Sequence, residues 1–268
     1  MAMSETRIPY QGKVGDNVPA FPTLFPNSFP INLTTIAMMV LAGLVVLIVL
    51  RVAVRNVSIH PRGLQNVMEW AVEFTRTMAK DTMPNEQIIN WIMPLAFTMI
   101  VFLFVSNWLG LIATVAIKLH HPVPSLGITP SSLSEAKGEV MLFDSPTANM
   151  SMTLGMAVMV WIISHAIGLR HPRQWLKHFV SPSPLAVLEE ITNPLTHGMR
   201  LYGNIFAGEA LIGIFLGIPL LFGWVPIGLP LLLVWLFYSA FVSTIQAYVF
   251  SILMCLYIGN KSFSSAHH

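Results

Sequence analysis

From Leu33 to Val54 the chain is almost wholly apolar and closes on Arg51 and Arg55. About 20 such residues at a helical rise of 1.5 Å cross the roughly 30 Å hydrocarbon core of a bilayer. A run of this length cannot be hidden in a small soluble core, and it recurs. Comparable segments cover Ile88 to Ile117, Thr147 to Leu169, Leu185 to Phe222 and Pro226 to Ile258. Inside hydrocarbon the backbone must satisfy its own hydrogen bonds, and apolar runs this long do so as helices. The fold class expected is therefore all-α, a polytopic membrane protein with five membrane-embedded helices.

Composition agrees and removes other classes. Hydrophobic residues make up 54% of the chain and charged residues 10%, where a soluble domain carries about 25% charge. Fourteen Lys and Arg against twelve Asp and Glu leave a net charge of +2. No stretch is basic enough to neutralise many phosphates, so nucleic acid is not an expected partner. The single cysteine, Cys255, excludes an internal disulfide and a cysteine metal cluster. Neither a metal nor a cofactor is expected. The first 32 residues hold Pro9, Pro19, Pro22, Pro26 and Pro30 and no apolar core. They are expected to be an external tail and not a signal peptide.

Between the first two spans, Pro61 to Met83 has a different pattern. Leu64, Val67, Met68, Ala71, Val72, Phe74 and Met78 fall mostly on one helical face, and Glu69, Glu73, Arg76 and Lys80 share much of the other. This predicts an amphipathic helix in the membrane interface. Residues 118–146 form a polar, Pro-rich loop and residues 170–184 a short basic one. The last two segments, at roughly 50–57 Å as helices, exceed the bilayer and must tilt or bend. With a turn at Gly223 to Pro226 they form a long tilted hairpin. A C-terminal tail covers 261–268.

Lys and Arg set the orientation. Arg51, Arg55, Arg62, Arg76 and Lys80 follow the first span, and Arg170, Arg173 and Lys177 follow the third. Both loops are expected in the cytoplasm. The N-terminus and the 118–146 loop are then expected outside and the C-terminus in the cytoplasm, with the chain spanning a bacterial inner membrane.

Polar residues in the hairpin carry the functional signal. Arg200 lies fifteen residues after Leu185, too deep to snorkel, where a charge costs at least about 2.5–3.5 kcal/mol. Asn204 follows one turn on. Glu190 precedes Arg200 by ten residues and Glu209 follows by nine, about 13–15 Å either way. Acid, base and acid thus stand along one helix, an arrangement suited to two dead-end water paths meeting at Arg200. On the last helix Ser239, Ser243 and Gln246 form one polar stripe. The serines suit helix pairing; Gln246 is large enough to steady Arg200 or bond a carboxylate. Asn149 stands at the outer end of the third span and His165 near its inner end. His165 and His197 are most simply packed histidines, although a haem protein would use such a pair. No His-Glu-x-x-His run supports a metalloprotease.

The segment Arg200-Leu-Tyr-Gly-Asn204-Ile-Phe-Ala-Gly-Glu209 closely resembles the signature of F-type ATP synthase subunit a. So do Pro61-Arg-Gly-Leu-Gln-Asn66, Asn107-Trp-Leu-Gly-Leu, Ser145-Pro-Thr-Ala, Pro194-Leu-Thr and Gln246-Ala-Tyr-Val-Phe. The resemblance covers nearly the whole chain after the tail. It implies a non-catalytic stator subunit of the rotary membrane sector. Two offset half-channels would pass protons, or sodium ions, to and from the carboxylates of a c-subunit ring. The implied partners are that ring, the b-subunit peripheral stalk, the rest of the F-type ATP synthase and the lipid bilayer. By resemblance Arg200 is the stator arginine. Asn204, Glu209 and Gln246 line the outer half-channel or flank the arginine, and Glu190 belongs to the inner one. Asn149 stands where many members carry Asp, and Ser239 where many carry His or Glu. Glu209 is then the strong acid of the outer path. The alternative is a stand-alone ion-coupled secondary transporter, which would usually show paired halves with broken helices in matching positions. No such repeat is present.

Overall fold

The structure is a computed structural model that describes residues 22–24, 31–55, 57–60, 62–83, 85–112, 115–123, 126–128, 130–136, 139–172, 175–176, 185–218 and 228–262. Among them, five helices are long and apolar enough to cross a membrane. The turn at Gly223 to Pro226, most of the N-terminal tail and most of the second half of the 170–184 loop lie outside the described residues.

Helix α1, Leu33–Ala53, starts where the Asn32 side chain accepts a hydrogen bond from the Thr35 backbone N–H at 3.1 Å. That cap satisfies a donor the first turn leaves open. Helix α2, Leu64–Thr82, is the amphipathic segment; Gly63 precedes it at φ 60°. It buries Thr75, Met78 and Ala79 and leaves Glu69, Glu73, Arg76 and Lys80 exposed. Lys80 reaches Glu86 at 3.1 Å, across to the first residue of α3, Glu86–Ile112. That exposed pair adds little stability.

Helix α3 stops at Ile112, which corrects the expected span to Ile117. Strand β3, Val115–Lys118, pairs antiparallel with β4, Glu139–Phe143. Val115 and Ile117 are β-branched, and they favour the pleated pairing that β4 offers. A short helix, α4, Pro130–Glu135, completes this excursion. Ile128, Leu133 and Val140 form a small core of its own. The supposed loop is therefore a compact cap on one end of the bundle. Two further strands, Thr23–Leu24 and Ile31–Asn32, precede α1. Among the described residues, these short pairings and an isolated bridge between Val123 and Ile128 are the exceptions to a helical polytopic membrane fold.

Helix α5, Met150–Gly168, follows a 3-10 turn at Pro146–Ala148. Helices α6, Leu185–Leu216, and α7, Gly228–Lys261, make the long hairpin. At 1.5 Å per residue each is about 50 Å long, so tilt or curvature is obligatory. The main core lies where α3, α5, α6 and α7 meet, around Ala96, Leu103, Leu201, Ala247, Phe250 and Met254. Large apolar side chains on the outer faces, such as Leu47, Val234 and Phe237, are exposed, as lipid contact requires.

One contact sets how closely α6 approaches α5. A Cβ built on Gly198 would lie 2.8 Å from Leu154 Cδ2, 3.0 Å from Leu154 Cα and 3.1 Å from the Thr153 carbonyl. Only glycine lets the backbones meet there, the small-residue packing typical of membrane helices. Gly155 has nothing within 4 Å of such an atom. Gly198→Leu should therefore destabilise the solubilised protein by about 1–3 kcal/mol through overpacking. Gly155→Leu should leave the melting temperature near wild type, and thermal melts of both variants in detergent check the contrast.

Candidate functional site

Arg200 sits on α6, and its side chain is exposed on the outer surface of the hairpin. Met199, Leu195 and Ile191 share that exposure. No ion pair to Arg200 is formed among the described residues. One turn before it, His197 points inward and is 2% exposed. Its ring packs 3.9 Å from Phe250 and 5.5 Å from Tyr257 on α7, centroid to centroid. Three residues turn the helix by about 300°, so the two side chains leave α6 about 60° apart: His197 lies on the buried edge of that side and Arg200 on its exposed edge.

One turn beyond Arg200, Asn204 Nδ2 donates to Gln246 Oε1 at 2.7 Å. This bond bridges the two arms of the hairpin. Gln246 is 4% exposed, and a buried amide oxygen without a donor would be costly. Ser243 and Ser239, one and two turns from Gln246 along α7, are also buried. The predicted polar stripe thus faces the bundle interior.

Past the bridge, α6 opens on a cavity of about 120 Å³, large enough for several waters. Glu209, Asn204 and Gly208 line it from α6, Ser239 and Ser243 from α7, and Asn107 from α3. The Ser239 hydroxyl has no hydrogen-bond partner among the described residues and is free to meet water in the cavity. Trp235 Nε1 donates to the Gly208 carbonyl at 3.0 Å, which fixes the indole beside the opening.

Asn107 is a residue that charge reasoning along the hairpin did not single out as functional. It is 1% exposed. Its Nδ2 donates to the Ser243 carbonyl at 3.0 Å, and its Oδ1 accepts from Thr147 Oγ1 at 2.8 Å. Thr147 and Ser145 hydroxyls lie 2.7 Å apart. A continuous polar chain therefore runs from the cavity wall to the turn before α5. The available signal was an asparagine inside an apolar span, which must find partners in the bundle.

The remaining candidates lie elsewhere. Asn149 caps α5: its Oδ1 accepts from the Ser151 and Met152 backbone N–H groups at 3.0 and 3.4 Å, and its Nδ2 donates to Thr35 Oγ1 at 3.1 Å. It ties α5 to α1 and is not among the residues lining the cavity. Glu190 is near the start of α6, where its carboxylate bonds the Lys261 ammonium and lies 3.3 Å from His165 Nε2. Cys255 is buried in the core.

The model of the ATP synthase A chain family matches residues 36–259. The chain belongs to the ATP synthase subunit a family. It is 34% identical over 237 residues to the ATP synthase subunit a of Enterococcus hirae, covering 85% of this chain and 91% of that one. It is 34% identical to those of Staphylococcus carnosus, over 89% and 93% of the two chains, and Bacillus subtilis, over 86% and 92%. As a member of this family the chain is a multi-pass, non-catalytic, ion-translocating subunit of the F-type ATP synthase. Nothing in the comparisons supports a stand-alone transporter.

The hairpin bridge makes a quantitative expectation. Asn204→Ala should cost about 1–3 kcal/mol, because it strands the buried Gln246 oxygen. Adding Gln246→Leu should cost less than the two single changes summed, with a coupling of about 0.5–3 kcal/mol. Thermal melts of the four proteins close the cycle.

Proposed function

We propose that Arg200 is the fixed positive charge between two offset half-channels, and that ions pass by way of carboxylates on a neighbouring c-subunit ring. The observation that carries this reading is an arginine exposed in mid-span with no ion pair among the described residues. An unpaired guanidinium facing hydrocarbon is too costly to be structural. Its partner belongs to another chain that covers this face. The b-subunit stalk then holds this subunit still while the ring turns.

The outer half-channel is the cavity lined by Glu209, Asn204, Ser239 and Ser243. Glu209 takes up the ion there, and water with the Ser239 hydroxyl relays it. The Asn204–Gln246 bond holds the two helices together between this cavity and Arg200. The Lys and Arg distribution supports a reading with the 118–146 excursion outside a bacterial inner membrane and the 170–184 loop in the cytoplasm.

A ring carboxylate crossing lipid must be neutral, because hydrocarbon disfavours its charged form. Beside Arg200 its charged form is stabilised, so it releases its ion toward the cytoplasm. It is then reloaded from the outer cavity. The fixed charge also repels a cation moving directly between the two paths. Each elementary charge crossing 100 mV supplies about 2.3 kcal/mol, which the ring delivers as rotation.

Arg200 decides the matter experimentally. Its guanidinium is planar and never deprotonated. Arg200→Lys should abolish coupled synthesis, because a compact ammonium binds a carboxylate differently. Arg200→Ala should abolish it too, and should also leak ions passively down an imposed gradient. Passive flux and ATP synthesis measured in the same vesicles test both, and synthesis surviving in Arg200→Ala refutes the assignment.

Glu209 gives a second test. An amide cannot take up a proton, so Glu209→Gln should slow ATP-driven pumping by about 10²-fold or more. Asn149→Ala, which alters a helix cap, should reduce it far less. Equal pumping rates in the two variants would remove Glu209 from the path.

A further inference from the structure

A second cavity, of about 200 Å³, opens where α5 gives way to the 170–184 loop. Asn85, Gln87 and Trp91 line it at the start of α3, Arg170 and His171 just past α5, and Ser262 just past α7. It lies toward the opposite end of α3 from Asn107 and shares no lining residue with the Glu209 cavity.

The chemistry of this wall is one-sided. Arg170 carries a permanent positive charge. Its guanidinium lies 5.7 Å from the centroid of the Trp91 ring and makes no ion pair among the described residues. The indole restrains the guanidinium by a cation–π contact, which leaves its N–H groups for an acceptor. Asn85 Oδ1 already accepts the Gln87 backbone N–H at 2.9 Å, so the Asn85 amide has its N–H groups left to donate. The Gln87 amide and the Trp91 indole add further donors. The Ser262 hydroxyl donates to the Gly259 carbonyl at 2.7 Å. Among the described lining residues there is no carboxylate. Glu86, between Asn85 and Gln87, is turned to α2, where Lys80 and Arg76 lie 3.1 and 4.0 Å from it. A concave wall with a fixed cation, surplus donors and no acid suits an anion with several acceptor oxygens, such as a phosphate.

The surroundings indicate which phosphate. Trp91 is 60% exposed, and Leu169, next to Arg170, is 54% exposed. Toward mid-span, Ile162 and Val158 are exposed on the same face of α5 as Leu169. An apolar, lipid-facing surface therefore leads up to the cavity, and an exposed indole there matches the level of lipid headgroups. Soluble phosphate would use the donors alone. A phospholipid uses the donors with its phosphodiester and the apolar surface with its acyl chains.

We propose that this cavity binds the headgroup of an anionic phospholipid. Arg170 pairs with the phosphodiester, Asn85 and Gln87 donate to it, and the acyl chains lie along the outer face of α5. Basic pockets between membrane helices suit such headgroups. A zwitterionic lipid binds less well, because its ammonium meets Arg170 and no carboxylate. The bound lipid joins the start of α3 to the end of α5. This site is independent of the role argued for Arg200.

The test uses the whole ATP synthase in nanodiscs of phosphatidylcholine. They carry a trace of phosphatidylglycerol with a photoactivatable group beside its headgroup. Labelled peptides are mapped after illumination, and labelling at the site is normalised to labelling elsewhere on this subunit. The segments holding Trp91 and Arg170 should be labelled, and unlabelled phosphatidylglycerol should compete. Added phosphatidylcholine and inorganic phosphate should not. Arg170→Gln should lower labelling at the site by at least about fivefold, and Arg170→Lys, which keeps the charge, should lower it less. Gln87→Glu places a carboxylate at an exposed position of the wall and should also lower it by at least about fivefold.

Unchanged labelling in Arg170→Gln would overturn the proposal. Equal competition by phosphatidylcholine would reduce the site to ordinary lipid contact, and competition by inorganic phosphate would make it a site for a soluble anion; either result overturns it. If Arg170→Gln fails to assemble, Gln87→Glu decides: loss of labelling supports the headgroup site, and full labelling refutes it.

Discussion

Hydrocarbon solvates no charge and no unpaired amide, and nearly every polar contact in this subunit answers that constraint. Asn204 meets Gln246 across the hairpin, Asn107 meets Thr147 and the Ser243 carbonyl, and Glu190 meets Lys261 and His165. Each bond also joins different helices. Satisfying the polar groups and assembling the bundle are therefore the same act. Arg200 stands outside this pattern, and that contrast makes it informative: the polar groups around it are spent within the bundle, while Arg200 is exposed in mid-span with no ion pair among the described residues.

The architecture was largely legible because span length is a coarse, robust signal. Apolar runs announced all five long helices, and the charged face of residues 61–83 announced the interfacial one. The miss at Ile112 has a local cause. Val115 to Ile117 is apolar and adjoins a span, so hydropathy alone extends the helix through it. Its pairing with β4 depends on residues more than twenty positions away, which no local pattern contains. The small core of Ile128, Leu133 and Val140 was hidden for the same reason, among prolines and polar residues.

The site was legible to a different depth. Arg200, Asn204, Glu209 and Gln246 stood out because each is polar where the bilayer requires apolar residues. That logic identifies costly residues but not how their cost is met. It left Gln246 with two possible partners, and the structure gives it Asn204. It treated Lys261 as a tail charge, whereas the residue is buried on Glu190, seventy-one positions away along the chain. Asn149 drew notice as a departure from the family's Asp, yet its amide is engaged in capping α5. Pairings of that range come from packing.

The close seat of Gly198 on Leu154 and Thr153 has a mechanical consequence. In the proposed role, a carboxylate drawn sideways by Arg200 draws Arg200 sideways with equal force. A lone tilted helix would yield, and work would be lost in bending it. Two residues from Arg200, α6 has no side chain of its own and its backbone sits directly against the Leu154 side chain, the Leu154 backbone and the Thr153 carbonyl of α5. Reaction force applied at the arginine is thus passed into a second helix almost where it arises. A missing side chain serves here as a stiff bearing, converting attraction between two charges into rotation of one partner alone.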